Sequence, residues 1–225
     1  MTQHDLVLSG LGGQGILVAS QLLGHSAVVE GKRAMYFSMF QGAQRGGVCE
    51  CLVAIADGRV DASPVIMQPI DAGLTMHPNA FRRFEPLVKA GGLLVYNTSI
   101  KRGTSDTQIT TGEGLAMKVN AVVEMAPNRT DIAYMGVPAS DLALEELGNP
   151  LMATLIATGA FIELSGIVTL DSAKASLTKS LKKHRQSFIP INTRALELGA
   201  NYARERGELV NPAALRLLRR EATAA

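Results

Sequence analysis

The sequence has no tryptophan, two cysteines and four histidines, and aromatic residues make up only 4% of its 225 positions. Each scarcity excludes something. So few aromatics leave no platform on which the bases of a single nucleic-acid strand could stack. A formal net charge of +2 is too small to imply a nucleic-acid partner. Two cysteines do not make a disulfide framework, and two thiols cannot hold an iron–sulfur cluster, which takes four ligands. Cys49 and Cys51 stand two apart in a strand-like stretch and read as small buried hydrophobes. His4, His25, His77 and His184 lack metal-ligand spacing, so no metal site is expected on this chain. No Ser/His/Asp order and no carboxylate pair stands out, so no catalytic residue is assigned.

Long apolar runs are also few. Leu151 to Leu170 is the main one, but it contains Glu163, Ser165 and Gly166 and breaks after about four helical turns. Asn149-Pro150 supplies an N-cap and an N1 proline. The reading is a buried helix, not a membrane span. The opening Met1-Thr2-Gln3-His4-Asp5 lacks the basic and apolar regions of a signal peptide. A cytoplasmic protein with no membrane partner is expected.

Apolar residues make up 47% of the chain, enough for a sizeable core. Strand-like and helix-like segments alternate. Strands are expected at 5–9, 34–38, 48–56, 72–76 and 93–96, and helices at 15–30 and 79–89. Asn79 would cap the second helix, and Gly91-Gly92 would end it. After an irregular polar stretch at 99–113 the chain turns helical, over 139–147 with Ser140 or Asp141 as cap, then 150–164, 170–184, 192–206 and a short basic segment at 211–220. The expected fold is α/β: a layered, Rossmann-like, largely parallel sheet with flanking helices and a helical C-terminal part. One domain spans 1–206, and 207–225 is a short basic C-terminal helix or tail.

The most informative motif is Gly10-Leu11-Gly12-Gly13-Gln14-Gly15, between Leu6-Val7-Leu8 and a helical pattern. A strand, a glycine turn and a helix N-terminus make a backbone cradle for an anion. The spacing matches the dinucleotide fingerprint, but that site also needs an acid at the end of the second strand, about 20 residues on. Ala34 to Ser38 offers none, and Glu30 lies at the wrong end. Ser38 with a nearby arginine would still suit NADP, so a stand-alone NADP-dependent reductase remains open. So does a non-catalytic ligand-binding scaffold. A second glycine turn, Arg45-Gly46-Gly47, follows the second strand, and Arg45 brings a planar cationic fork suited to carboxylate or phosphate.

These motifs occur in order with Ser63-Pro64, Pro69-Ile70-Asp71, Val137-Pro138-Ala139, Leu147-Gly148-Asn149-Pro150, Leu155 and Gly159-Ala160. In that order and spacing, over about residues 5 to 204, the chain resembles the gamma subunit or domain of the 2-oxoacid:ferredoxin (acceptor) oxidoreductases. Thr154 stands where that family often has Asn, and the segment Met39 to Gln44 differs from its commoner form. The resemblance implies a multi-subunit enzyme that decarboxylates a 2-oxoacid (pyruvate, 2-oxoglutarate, branched, phenylglyoxylate or indolepyruvate) to an acyl-CoA. Thiamine diphosphate, Mg and iron–sulfur clusters would sit on alpha, beta and ferredoxin-like partner chains, and a flavin subunit could join them. This chain would bind no cofactor tightly. Gly12, Gly13, Gln14, Gly15, Arg45, Gly46 and Gly47 would face the shared active site, against coenzyme A or the diphosphate.

Overall fold

The computed structural model describes residues 2–40, 48–60, 68–99, 109–110, 116–117, 125–180 and 183–216. Arg45, Gly46 and Gly47 therefore lie outside the described residues, as do Ser63-Pro64, most of the polar stretch 99–113, and the basic tail from Leu217 onward.

The chain opens with β1 (Gln3–Leu11), α1 (Ile16–Val29), β2 (Arg33–Phe40), β3 (Val48–Ala56) and β4 (Ile70–Thr75). It continues with α2 (Pro78–Phe84), β5 (Val88–Asn97), a small ribbon of β6 (Ile109–Thr110) and β7 (Ala116–Met117), and β8 (Ala133–Val137). The last part holds α3 (Ala139–Glu145), α4 (Ala153–Ser165), α5 (Leu170–Ser180), α6 (Ile189–Glu205) and β9 (Leu209–Val210).

Seven strands form one sheet in the order β2-β3-β1-β4-β5-β8-β9. Its centre is parallel, β1 to β4 to β5 to β8. The sheet as a whole is mixed, which corrects the largely parallel expectation: β3 runs antiparallel to both β1 and β2, and β9 antiparallel to β8. The reason is the length of the connection: only residues 41–47 separate β2 from β3, and a parallel crossover takes about a dozen or more, so β3 returns as a neighbour in the opposite direction. Two antiparallel steps leave β2 running the same way as β1. The carboxyl ends of β1, β2, β4, β5 and β8 thus share one edge of the sheet.

Both faces are covered, so β1 is apolar at successive positions. Leu6, Leu8, Cys51, Val53, Leu74 and Val95 face a layer built from α1, α3, α4, α5 and α6. Val7, Leu52, Leu94 and Tyr134 face the smaller cluster around Phe81 and Phe84 of α2. α4, the apolar run, is buried from Ala153 through Ile162. Its Gly159 and Gly199 of α6 meet back to back: a Cβ on Gly159 would strike the Leu196 carbonyl, and one on Gly199 the Ile156 carbonyl. The small residues of α4 thus serve internal helix packing. Among the described residues, no helix is long and apolar enough to cross a membrane.

Several local expectations change. The helix expected at 79–89 stops at Phe84, because Glu85-Pro86 turns into a short 3-10 segment. Gly91-Gly92 then lies inside β5, where the register with β4 shifts and Gly91 has φ +89°. α2 is capped not by Asn79 but by His77, whose Nδ1 accepts from the Asn79 N–H at 3.2 Å. α3 is capped from outside: Asn97 Oδ1 accepts from Ala139 N, and Ser99 Oγ accepts from the N–H groups of Ser140 and Asp141. The chain beyond Gly207 continues into the sheet, since β9 pairs with β8 and Leu215 is buried in the core.

Candidate functional site

β1 ends at the shared carboxyl edge and passes directly into the glycine turn. The turn is held by Gln14, whose N–H donates to the Leu11 carbonyl at 3.1 Å while its Oε1 accepts from the Leu11 N–H at 2.7 Å. Gly10 must be bare, because a Cβ there would lie 2.5 Å from Gln14 Oε1 and 3.0 Å from both Ile16 Cδ1 and Met76 Cβ. Gly13 and Gly15 have φ +97° and +87°, a conformation that disfavours any side chain. Gly15 caps α1, and no side chain bonds to the helix end. The first-turn amides ahead of Ala19 have no acceptor within the helix.

A second element secures this turn. Thr154, at the start of α4, donates its hydroxyl to the Gln14 carbonyl. α4 is itself placed by Asn149, whose side chain accepts from Leu151 N at 3.1 Å, with Pro150 in the first turn. The Thr154–Gln14 bond spans 140 positions, and with it Asn149 of the Leu147-Gly148-Asn149-Pro150 motif and the glycine motif come to line one space.

Between them lies a pocket of about 310 Å³. Gly13, Gln14, Gly15 and Val18 form one wall, and Asn149, Leu151, Met152, Thr154 and Leu155 a second. Phe188 and Asn192, from the start of α6, close the third. Gly12 is not among the lining residues. Leu151 and Phe188 at the rim are 69% and 48% exposed. None of the eleven lining residues carries a charge. Asn192 was legible in the sequence only as a helix start. The helix begins three residues earlier, around Pro190, which places Asn192 inside its first turn.

The site does not have the geometry of a dinucleotide fold. β3 lies between β1 and β2, so the end of β2 with Ser38 is two strands from the glycine turn. Glu30 is engaged elsewhere, accepting from Thr169 N at 2.6 Å and from Ser172 Oγ at 2.6 Å at the amino end of α5. Burial acts to raise its pKa, but bonds from Ser172, Thr169 and Lys32 outweigh this and hold it below the ordinary glutamate value.

Cys49 and Cys51 are buried in β3, facing α1. The hydrogen bond to Cys51, with burial, pushes the Cys49 thiol far above its usual range. Two such thiols do not fit an iron–sulfur cluster, and among the described residues no group of three His, Cys, Asp or Glu could hold a metal ion. Glu50 is buried on the opposite face with Arg83 Nε at 2.9 Å; burial raises its pKa against the pull of Arg83.

The family described as pyruvate ferredoxin/flavodoxin oxidoreductase matches residues 5–202. The 2-oxoglutarate synthase subunit KorC of Methanocaldococcus jannaschii is 24% identical over 182 residues, covering 80% of this chain and 85% of that protein. The gamma subunit of a keto/oxoacid ferredoxin oxidoreductase from Geobacter sulfurreducens superposes with a TM-score of 0.71 at 22% identity, covering 92% of this chain and all of that one. The 2-oxoglutarate:ferredoxin oxidoreductase of Magnetococcus marinus, solved with 2-oxoglutarate, coenzyme A and succinyl-CoA bound, superposes at 0.69 with 17% identity. That match covers 91% of this chain and 31% of the larger one.

Proposed function

The chain belongs to the pyruvate ferredoxin/flavodoxin oxidoreductase family, and on that premise we propose that it is the gamma subunit of a multi-subunit 2-oxoacid oxidoreductase. The observation that carries this reading is the family match over residues 5–202. The reaction is the oxidative decarboxylation of a 2-oxoacid to its acyl-CoA. Thiamine diphosphate, Mg and the iron–sulfur clusters belong to alpha, beta and ferredoxin-like partners. The donor set here agrees with that division, since its two buried thiols do not suit a cluster. By itself the chain is inactive.

Its role is to complete the active site from one side. The carboxyl edge presents the glycine turn, with the open end of α1 behind it. In sequence, Arg45-Gly46-Gly47 comes after β2, whose carboxyl end lies on the same edge. Coenzyme A is the ligand we assign to this edge: backbone amides and an arginine fork suit its phosphates. The test is Arg45→Ala in the assembled enzyme. The expected result is a raised coenzyme A requirement with little change toward the 2-oxoacid; an unchanged coenzyme A dependence would sink the assignment. Micromolar NADP(H) binding by the isolated chain would overturn the subunit reading in favour of a reductase.

A further inference from the structure

One edge of the sheet is open. β2 is the outermost strand on its side, so its main-chain groups that point away from β3 meet no further strand among the described residues. Soluble proteins blunt such edges with a lysine, a proline, a bulge or a very short strand. β2 has none of these. It is 8 residues long, its stretch from Ala34 to Phe40 holds no charge and no proline, and its register with β3 runs unbroken from Arg33–Ala56 to Phe40–Cys49.

The side chains along this edge are apolar on both faces. Met35 and Phe37 are 43% and 47% exposed and share the α2 face with Leu52. Tyr36 lies on the α1 face, where its hydroxyl accepts from Gln21 Nε2 at 3.2 Å. Gly24 of α1 faces Ala34 in the same way. Helical spacing puts Leu17 and Val28 on the face of α1 that holds Gln21 and Gly24, so the helix stripe beside the edge is uncharged too. Val28, Val29, Met35, Tyr36 and Phe37 are five of the nine large apolar side chains exposed among the described residues. The exposure is gathered at one place, which marks an interface.

The geometry of the edge suits a second copy of itself. A two-fold axis normal to the sheet keeps each face on its own side and sets the strands antiparallel. Centred on Tyr36, it pairs Met35 with Phe37 of the second copy, twice, and Tyr36 with its own counterpart. Arg33 then stands roughly 20 Å from the other Arg33, beyond the screening length of about 8 Å. α1 packs on β2 and β3 alike, so its axis lies about one strand spacing from that two-fold. The two α1 helices would run about 10 Å apart, a normal helix-packing distance. The edge is about 27 Å long and about 20 Å deep across the sheet and one helix layer, a footprint of roughly 1,000 Å² for the pair, the size at which a specific interface becomes stable.

We propose that β2 pairs antiparallel with β2 of a second copy of this chain, centred on Tyr36, so that two sheets become one and the two α1 helices pack together. This goes beyond the subunit reading and does not rest on it. In an assembled enzyme the same pairing joins two sets of partner chains.

The test is sedimentation equilibrium of the full chain together with disulfide trapping. The unaltered chain should sediment at twice its mass at micromolar concentration. Tyr36→Cys should form a linked dimer on mild oxidation, because its Cα lies about 5 Å from its counterpart. Ser38→Cys, roughly 14 Å from its counterpart, should not. Cys49 and Cys51 are buried and do not compete. Phe37→Lys should weaken the dimer by about a hundredfold, since it buries two unpaired charges in one interface. Should Phe37→Lys fail to fold, trapping decides. A monomeric unaltered chain, equal trapping at both positions, or a dimer indifferent to Phe37→Lys would overturn the proposal. So would release of partner subunits by Phe37→Lys from a complex whose gamma chain is monomeric alone, which would give the edge to another subunit. The Arg45→Ala measurement reads the active-site role separately, so failure of one leaves the other interpretable.

Discussion

The hydroxyl of Thr154 donates to the main-chain carbonyl of Gln14, tying the start of α4 to the glycine turn after β1. Thr154 is 2% exposed and the two residues are 140 positions apart. This one bond ties the glycine motif to the helix that follows the Leu147-Gly148-Asn149-Pro150 motif.

Thr154→Val keeps the shape and removes the donor. The Gln14 carbonyl then loses its partner in a half-buried place, which should lower stability by about 1–2 kcal/mol. Ligand binding at the turn should weaken with it, while Thr154→Ser should restore both. Thermal unfolding of the three proteins checks this; equal stability of the Val and Ser variants would contradict it.

The turn's glycines should rank by what their backbone requires. Gly15→Ala places a side chain at φ +87° without a close clash, at a cost of about 1–2 kcal/mol. Gly10→Ala adds no φ strain but collides with Gln14, Ile16 and Met76. It displaces the Gln14 side chain that closes the turn, so it should reduce coenzyme A affinity of the assembled enzyme more than it reduces stability.

α4 and α6 cross at Gly159 and Gly199, where carbonyls of the opposite helix occupy the space of a Cβ. Gly199→Ala should force the helices apart and destabilise by about 3 kcal/mol, the upper end for overpacking. Because Asn192 and Thr154 sit on these same helices, amide exchange around the pocket should also accelerate. A melting temperature like that of the unaltered protein would show that the crossing is looser than described.

Glu30 predicts a pH dependence. Its folded pKa lies below the ordinary value of 4.5, on balance because Ser172, Thr169 and Lys32 bond to the carboxylate more strongly than burial opposes it. A depressed carboxylate stabilises the fold fully above its unfolded pKa and loses that contribution as pH falls through the folded pKa. Glu30→Gln should therefore be less stable near neutrality and lose less on acidification. Parallel acid denaturation curves for the two proteins would rule out this role.

How far these features are legible in the sequence differs between them. Strong apolar runs such as Val48 to Ala56 and Leu6-Val7-Leu8 gave the strands, because burial on both faces leaves a continuous signal. Strand direction was not legible. Whether β3 runs with or against β1 depends on its connection, not on its own residues. Caps were misread where they come from elsewhere: Ser140 and Asp141 look like caps of α3, but Ser99 and Asn97 of another segment supply the oxygens. The glycine turn was legible because Gly13 and Gly15 carry a backbone requirement that only glycine meets easily. Asn192 was not, since nothing local distinguishes a pocket asparagine from an ordinary first-turn residue.

The subunit assignment is tested most directly by native mass spectrometry of the complex isolated through this chain from its source. The account predicts copurification with chains that carry thiamine diphosphate and iron–sulfur clusters, in fixed stoichiometry. Recovery of the chain as a lone monomer or homo-oligomer would contradict it.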